Sequence, residues 1–349
     1  MENPVPLDYC SSISNDYFKP DSLYLSSCRS AIGIALDQGP SLKEKVALVP
    51  SFTCSSVLSP FLRRGFRVIP YPIKSSLSID WQEFKDIVSN QHPSVILLHP
   101  YFGFDTIQDG LQFIEDSRRS GVRIIEDLTQ CLFSSFPSLN ADFFVGSLRK
   151  WMPIPDGAFL SPILNHIELD EDTALIDLKM KAMLDKGKYI CGDSLSKEQF
   201  LSSFKDAELL LNTRTRVYAM SQQSITIFNS IDIDLLKRRR RENYLALVNH
   251  LLTYPFMVVI KPTLPEEVVP FEVAVLVKEG RKRLQDFMAS NNVYPTVIWS
   301  CPNEFLKSIS DDTRRVYDEI LCFHCDQRYT VEDMNRIGDL LKLYYQQYS

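Results

Sequence analysis

From residue 29 to about 165, short apolar runs alternate with stretches in which apolar side chains recur every three or four positions. A run of four to six apolar residues is too short for a helix and suits a strand covered on both faces. Recurrence at three to four positions instead paints one apolar stripe along a helix. The alternation therefore predicts an α/β fold, with helices packed on both faces of a mostly parallel, mixed sheet. Helices are predicted over Arg29–Gln38, Cys54–Arg64, Asp80–Ser89 and Ile107–Ser120, the third opened by Asp80 as its cap. Strands are predicted over Val46–Val49, Arg67–Tyr71, Ser94–His99, Val122–Glu126, Phe143–Gly146 and Ala158–Pro162.

After residue 165 the texture changes. Two long helical stretches, Leu169–Leu184 and Lys197–Asn229, precede the basic run Lys237–Arg241, behind which Tyr244, Leu247, Val248, Leu251 and Leu252 recur at helical spacing. The run is read as the solvated start of an amphipathic helix. Strands at Met257–Ile260, Glu272–Val277 and Ile320–Phe323, with helices at Gly280–Ser290 and Val331–Tyr345, complete a small α+β part. A chain of 349 residues exceeds one core, so two domains are expected, a large one over 1–230 and a small C-terminal one over 231–349.

With 45% apolar and 23% charged residues, the composition is that of a folded globular chain. Met1–Tyr9 has neither a basic start nor an apolar stretch, and no run approaches the roughly 18 apolar residues of a membrane helix. A cytoplasmic protein that does not enter membranes is expected. The eight cysteines are scattered without a secretory signal, which favours thiols over disulfides. A net charge of −6 argues against nucleic acid as the partner, the basic run notwithstanding.

None of the 12 glycines builds a dinucleotide or nucleoside-triphosphate loop. Cys322 and Cys325, with His324 between them, lack a second pair, so two buried strand thiols are expected and no metal site. The histidines show no HExxH spacing, and no serine sits in a GxSxG elbow.

A carboxylate and a lysine remain, each where an apolar strand ends. Asp127 follows Val122-Arg123-Ile124-Ile125-Glu126, and ligands of open α/β sheets bind outside the carboxyl ends of the strands. Lys150 follows Phe143–Gly146 and lies among Leu148, Trp151 and Met152, which predicts a partly desolvated, nucleophilic amine. Ser147, three residues earlier, is placed to bind a phosphate. Singly, such an Asp is more often a helix cap and such a Lys a surface residue. Together they supply what pyridoxal phosphate requires: an amine for the aldehyde, a carboxylate for the ring nitrogen and donors for the phosphate.

Five segments, in this order, resemble the fold-type I pyridoxal-phosphate enzymes, and specifically the DegT-type sugar aminotransferases. They are Ser27-Cys28-Arg29-Ser30-Ala31, Val49-Pro50-Ser51-Phe52-Thr53-Cys54, Ile125-Glu126-Asp127-Leu128-Thr129-Gln130, Ser147-Leu148-Arg149-Lys150-Trp151 and Asp326-Gln327-Arg328-Tyr329 with Glu332-Asp333-Met334. The resemblance implies an aspartate-aminotransferase-like fold and pyridoxal 5'-phosphate as cofactor. It also implies a cytoplasmic homodimer with its active site near the subunit interface. Lys150 would form the Schiff base, Asp127 pair with the ring nitrogen, Gln130 contact the ring phenolate, and Cys54 lie beside the ring. Arg29 and Ser30 would offer backbone N–H groups to the phosphate, with the Ser147 hydroxyl beside them.

The implied activity is an aminotransferase moving an amino group from an amino acid to a carbonyl acceptor, a nucleotide-linked keto sugar in sugar or polysaccharide biosynthesis. Three departures stand out. The family's stacking aromatic is replaced by Cys54, so either another aromatic such as Phe52 or Phe102 covers the ring or the cofactor is held more weakly than in the family. Arg149-Lys150-Trp151, followed by Pro155-Asp156-Gly157, is closer to the His-Lys-Trp of class V aminotransferases and cysteine desulfurases. The family's Asn-x-Arg-Met-Ser segment survives only as Val217-Tyr218-Ala219-Met220-Ser221, with Asn212, Arg214 or Arg216 nearby as substitutes. A lyase or desulfurase, or a non-catalytic member of the fold, are the alternatives.

Overall fold

Leucine, isoleucine and valine dominate the middle of the sheet because both of its faces are covered. The structure, a computed structural model, describes residues 21–42, 44–136, 139–165, 167–193 and 196–348. The expectations for Met1–Tyr9, Cys10 and His166 fall outside these residues. In chain order the first half runs β1 (Leu23–Leu25), α1 (Cys28–Asp37), β2 (Val46–Pro50), α2 (Ser55–Arg63), β3 (Arg67–Tyr71), α3 (Trp81–Gln91), β4 (Val95–Leu98), α4 (Leu111–Arg119), β5 (Arg123–Asp127), β6 (Phe143–Ser147) and β7 (Ala158–Ser161). The second half runs α5 (Thr173–Ile190), α6 (Lys197–Thr213), α7 (Gln222–Asn229), α8 (Ile233–Leu251), β8 (Met257–Val259), β9 (Val273–Val277), α9 (Arg281–Ser290), α10 (Asp311–Glu319), β10 (Ile320–Phe323) and α11 (Val331–Tyr348).

Seven strands form a mixed sheet in the order β1-β7-β6-β5-β4-β2-β3, and β10-β9-β8 form a second, antiparallel sheet. In the first, β2 pairs parallel with β3 and β4, and β5 parallel with β6, while β7 runs antiparallel to β6 and β1. Every residue of β4 and β5 is buried, which is why both read as uninterrupted strands. Asp80 caps α3 as expected, its carboxylate accepting the Glu83 N–H at 3.3 Å.

The chain divides into two compact units. One contains residues up to 41, 125–129 and 142–233, and the other 42–124, 130–141 and 234 onward. The first carries α1, β6, β7 and the long helices α5 and α6. The second has a core that includes Leu48, Phe84, Leu98, Leu247, Val275, Leu321 and Leu341.

Three expectations change. The single helix predicted over Lys197–Asn229 is two, because the chain turns extended at Arg214 and is anchored there. The Arg214 guanidinium holds Asp172 with both arms, at 2.8 and 2.7 Å, and Ala219 bridges to Leu25 and Glu171 before Ser221 caps α7. The basic run is not a solvated face. Arg240 is 2% exposed and donates to Gln327 Oε1, Pro270 O and Phe271 O at 2.9, 3.1 and 3.0 Å, while Arg239 and Arg241 donate to the carbonyls of Gln327 and Pro265.

Finally, β1 and α10 have no counterpart in the sequence reading. The sequence of α10, Asp-Asp-Thr-Arg-Arg-Val-Tyr-Asp-Glu, turns only Thr313, Val316 and Tyr317 inward and carries too little apolar signal to declare itself.

Candidate active site

The first unit gathers most of the candidate residues. Strands β5 and β6 run parallel in the register Ile125↔Phe143, Glu126↔Phe144 and Asp127↔Val145, so their carboxyl ends lie side by side. Asp127 closes β5 and Ser147 closes β6, with 3% and 5% exposure. The Asp127 carboxylate accepts the Thr129 N–H at 2.9 Å, folding the chain back just past the strand. After Ser147 a single tight turn, Leu148–Lys150, sends Leu148, Trp151 and Met152 fully into the core.

Lys150 itself is exposed, which corrects the expected desolvation of its amine. Its apolar sequence neighbours all point inward, so the turn that buries them leaves the lysine outside. The turn is pinned by Gly157, whose carbonyl accepts the N–H groups of Leu148 and Arg149 at 3.0 and 3.4 Å, and whose own N–H reaches Ser26 O at 3.2 Å. Gly157 has φ +136, a backbone conformation that L side chains rarely adopt, so a side chain there would strain the turn.

Thr129, given no role from sequence, ties three segments together. Its hydroxyl accepts the Ser147 N–H at 3.1 Å and lies 3.8 Å from Cys28 Sγ, and its carbonyl accepts Trp151 Nε1–H at 2.8 Å. Little in the local sequence marks that role, since the partners of its hydroxyl and carbonyl are about twenty or a hundred residues away. At the start of α1, the Ser27 hydroxyl accepts the Ser30 N–H at 3.3 Å, so the cap takes one of the two backbone donors expected to face a phosphate. Arg29 donates to Asn212 Oδ1 at 2.5 Å. Burial, and then the negative charge of Asp127, push the Cys28 thiol well above its ordinary pKa.

Behind the lysine turn, Asp156 is buried and accepts the Ser221 N–H at 3.0 Å and the Ser221 hydroxyl at 2.7 Å, with the Ser224 hydroxyl as a third donor. Burial raises its carboxyl above the usual range, against the pull of these bonds. Two of the substitutes considered for the missing arginine have other commitments: Arg214 grips Asp172 and Arg216 pairs with Asp170.

Gln130 and Cys54 belong to the other unit. Gln130 is 1% exposed and its Oε1 accepts the Phe102 N–H at 2.9 Å, holding Phe102 at φ 56. Cys54 is half-buried just before α2 and accepts the Ser56 hydroxyl at 3.0 Å. The preceding turn is fastened by Tyr317 of α10, which receives the Thr53 N–H at 3.0 Å and donates to Ser51 O at 2.9 Å. Phe52 is fully buried against Tyr101, Trp299 and Tyr317, and Phe102 is 2% exposed, so both aromatics are interior to their own unit. Cys322 and Cys325 are both fully buried, no disulfide joins the described cysteines, and no described group of His, Cys, Asp and Glu is arranged to hold a metal. No described helix is long and apolar enough to cross a membrane.

Solved structures share this architecture. A sugar aminotransferase from Micromonospora echinospora superposes with a TM-score of 0.67 at 14% identity, over 93% of this chain and 87% of that one. A DegT/DnrJ/EryC1/StrS aminotransferase from Brucella abortus gives 0.64 at 14%, over 93% and 85%. The Helicobacter pylori aminotransferase involved in the biosynthesis of pseudoaminic acid gives 0.68 at 13%, over 100% and 99%. The fold is that of the DegT-type sugar aminotransferases. No protein-family model matches the sequence, and no curated protein does.

Proposed function

We propose that this chain is a pyridoxal-phosphate-dependent aminotransferase that takes an amino group from an amino acid and delivers it to the carbonyl of a small molecule, a nucleotide-linked keto sugar. One observation carries the reading. An exposed amine, a buried carboxylate and a buried hydroxyl (Lys150, Asp127 and Ser147) stand at the adjacent ends of two parallel strands, in a fold shared with solved sugar aminotransferases.

The donor set fits the cofactor. When bound, pyridoxal phosphate supplies an aldehyde for the amine and an electron-withdrawing ring that stabilises charge on the substrate carbon. Lys150, exposed at the end of its turn, is the residue that would hold the cofactor's aldehyde carbon through its amine and would serve as the proton carrier beside it. Asp127, fixed by the Thr129 N–H, would be the acceptor for the N–H of a protonated pyridine. Ser147 offers a hydroxyl to the phosphate, its backbone held in place by Thr129. For Gln130, a contact with the ring phenolate, and for Cys54, a place beside the ring, are proposed from the resemblance. A homodimer, a cytoplasmic location and domains over 1–230 and 231–349 belong to the same proposal.

Purified protein mixed with pyridoxal phosphate should gain visible absorbance distinct from that of the free cofactor. Borohydride should then fix the cofactor on the peptide containing Lys150. An unchanged spectrum, or label spread over other lysines with Lys150→Ala still coloured, would overturn the reading.

A further inference from the structure

Asp156 is 1% exposed and collects three donors from the start of α7: the Ser221 N–H at 3.0 Å, the Ser221 hydroxyl at 2.7 Å and the Ser224 hydroxyl. An ordinary helix cap needs none of these. The Ser221 hydroxyl already caps α7 by accepting the Ser224 N–H at 3.2 Å, and that cap calls for no carboxylate from 65 residues away in sequence. Burying a carboxyl is costly, and its three bonds offset that cost while joining two separate segments of the first unit.

The bond to Ser221 closes a circuit. Gly157, the next residue, donates to Ser26 O at 3.2 Å, Ser26 donates to Tyr218 O at 3.0 Å, Met220 donates to Tyr24 O at 3.1 Å, and Ser221 returns to Asp156. Strand β1 is thereby held between the two segments. The Gly157 carbonyl in turn takes the N–H groups of Leu148 and Arg149, while Trp151 is fixed by its indole N–H on Thr129 O at 2.8 Å. Lys150 stands between these two anchors. Its side chain is exposed on a flexible stem, so the surrounding structure sets the place of its backbone, and that place follows Gly157 and therefore Asp156.

We propose that Asp156 and Ser221 are positioning residues for Lys150, acting through Gly157 to fix the turn from which its amine reaches a ligand. The inference rests on the proposed function for what Lys150 bonds, though not for how its turn is held.

Two measurements on the full chain test it. In hydrogen–deuterium exchange without ligand, the Leu148 amide should open about tenfold faster in Asp156→Ala, the size of one lost hydrogen bond, with the β4 amides at their wild-type rate. Ser221→Ala, which keeps the Ser221 N–H on Asp156, should show a smaller increase. In titrations, Asp156→Ala should weaken pyridoxal phosphate about tenfold and leave pyridoxamine phosphate unchanged, because the latter carries an amine in place of the aldehyde and makes no bond to Lys150. Equal weakening of both ligands, or an unchanged Leu148 exchange rate, would overturn the positioning role.

If Asp156→Ala fails to fold by circular dichroism, Ser221→Ala decides by the same split between the two ligands. If the wild-type protein binds neither ligand, the functional reading fails and acetic anhydride becomes the probe. A Lys150 acetylation rate that changes in the variant, while that of the exposed Lys342 does not, would still support the positioning role, and identical rates at Lys150 would sink it.

Discussion

Thr129 shows how one hydroxyl can organise a site. It accepts the N–H of Ser147, a residue 5% exposed, so Thr129→Val leaves a buried donor without its acceptor, at a cost on the order of 1–3 kcal/mol. The expected outcome is a lower melting temperature together with weaker binding of pyridoxal phosphate, both largely restored in Thr129→Ser. A variant as stable as the wild type and equally avid for cofactor would refute the role. Cys28 offers a second check. Because burial and the Asp127 charge hold its thiol well above the ordinary range, little thiolate exists near neutrality. Iodoacetamide at pH 8 should label the exposed Cys191 and spare Cys28 in mass-spectrometric mapping, and Asp127→Asn should move the onset of Cys28 labelling to lower pH. The positions of Asp127 at the end of β5 and of Lys150 in the turn after β6 were legible, because an apolar run precedes each. The exposure of Lys150 was not, since apolar sequence neighbours do not reveal that a tight turn buries all of them and leaves the lysine outside.

Secondary structure was legible wherever burial on both faces, or an apolar stripe, left a period in the sequence. The bounds of β3 and β10 coincide with those predicted, and α3 begins at its Asp80 cap. The losses have a common cause. The break between α6 and α7 is made by Arg214 reaching Asp172, and Arg240 is buried by three acceptors supplied from distant loops. Such tertiary contacts leave no period. Asp156 belongs to this class, joining the Lys150 turn to the start of α7. Its folded-state carboxyl is raised by burial above the unfolded value of about 3.9. Its contribution is therefore fully present below that pH and lost as pH rises through the folded value. Asp156→Asn removes this titration and sets an amide donor against the Ser221 N–H, a loss of about 1–3 kcal/mol at acid pH. The gap in melting temperature between wild type and variant should be widest near pH 4 and narrow as pH climbs. A gap that widened instead would mean that the ionised carboxylate, rather than the neutral acid, is the stabilising form.

At the scale of the molecule, the α/β class was readable from alternation alone, whereas the grouping of residues 42–124 with the C-terminal elements was not, because no composition shift marks it. That grouping puts Arg29, Ser30, Asp127, Ser147 and Lys150 in one unit and Cys54 and Gln130 in the other. Ligand binding can therefore be read unit by unit. A ligand that binds only the folded chain adds about 2.7 kcal/mol when present at 100 times its Kd, so pyridoxal phosphate should raise the melting temperature of the wild type and do so much less for Lys150→Ala. Hydrogen–deuterium exchange then locates the effect, since amides at a bound site open less often. Protection is expected in peptides covering 26–31, 127–130 and 147–157, where the N-terminus of α1 and the ends of β5 and β6 carry the amine, carboxylate and hydroxyl. Protection extending to 51–54 would bring Cys54 into the binding site, as the resemblance alone assigns it. Protection confined instead to the open hollow of about 400 Å³ lined by Phe256, Arg283, Tyr344 and Tyr348 would place the ligand far from Lys150 in sequence and remove the physical basis of the assigned chemistry.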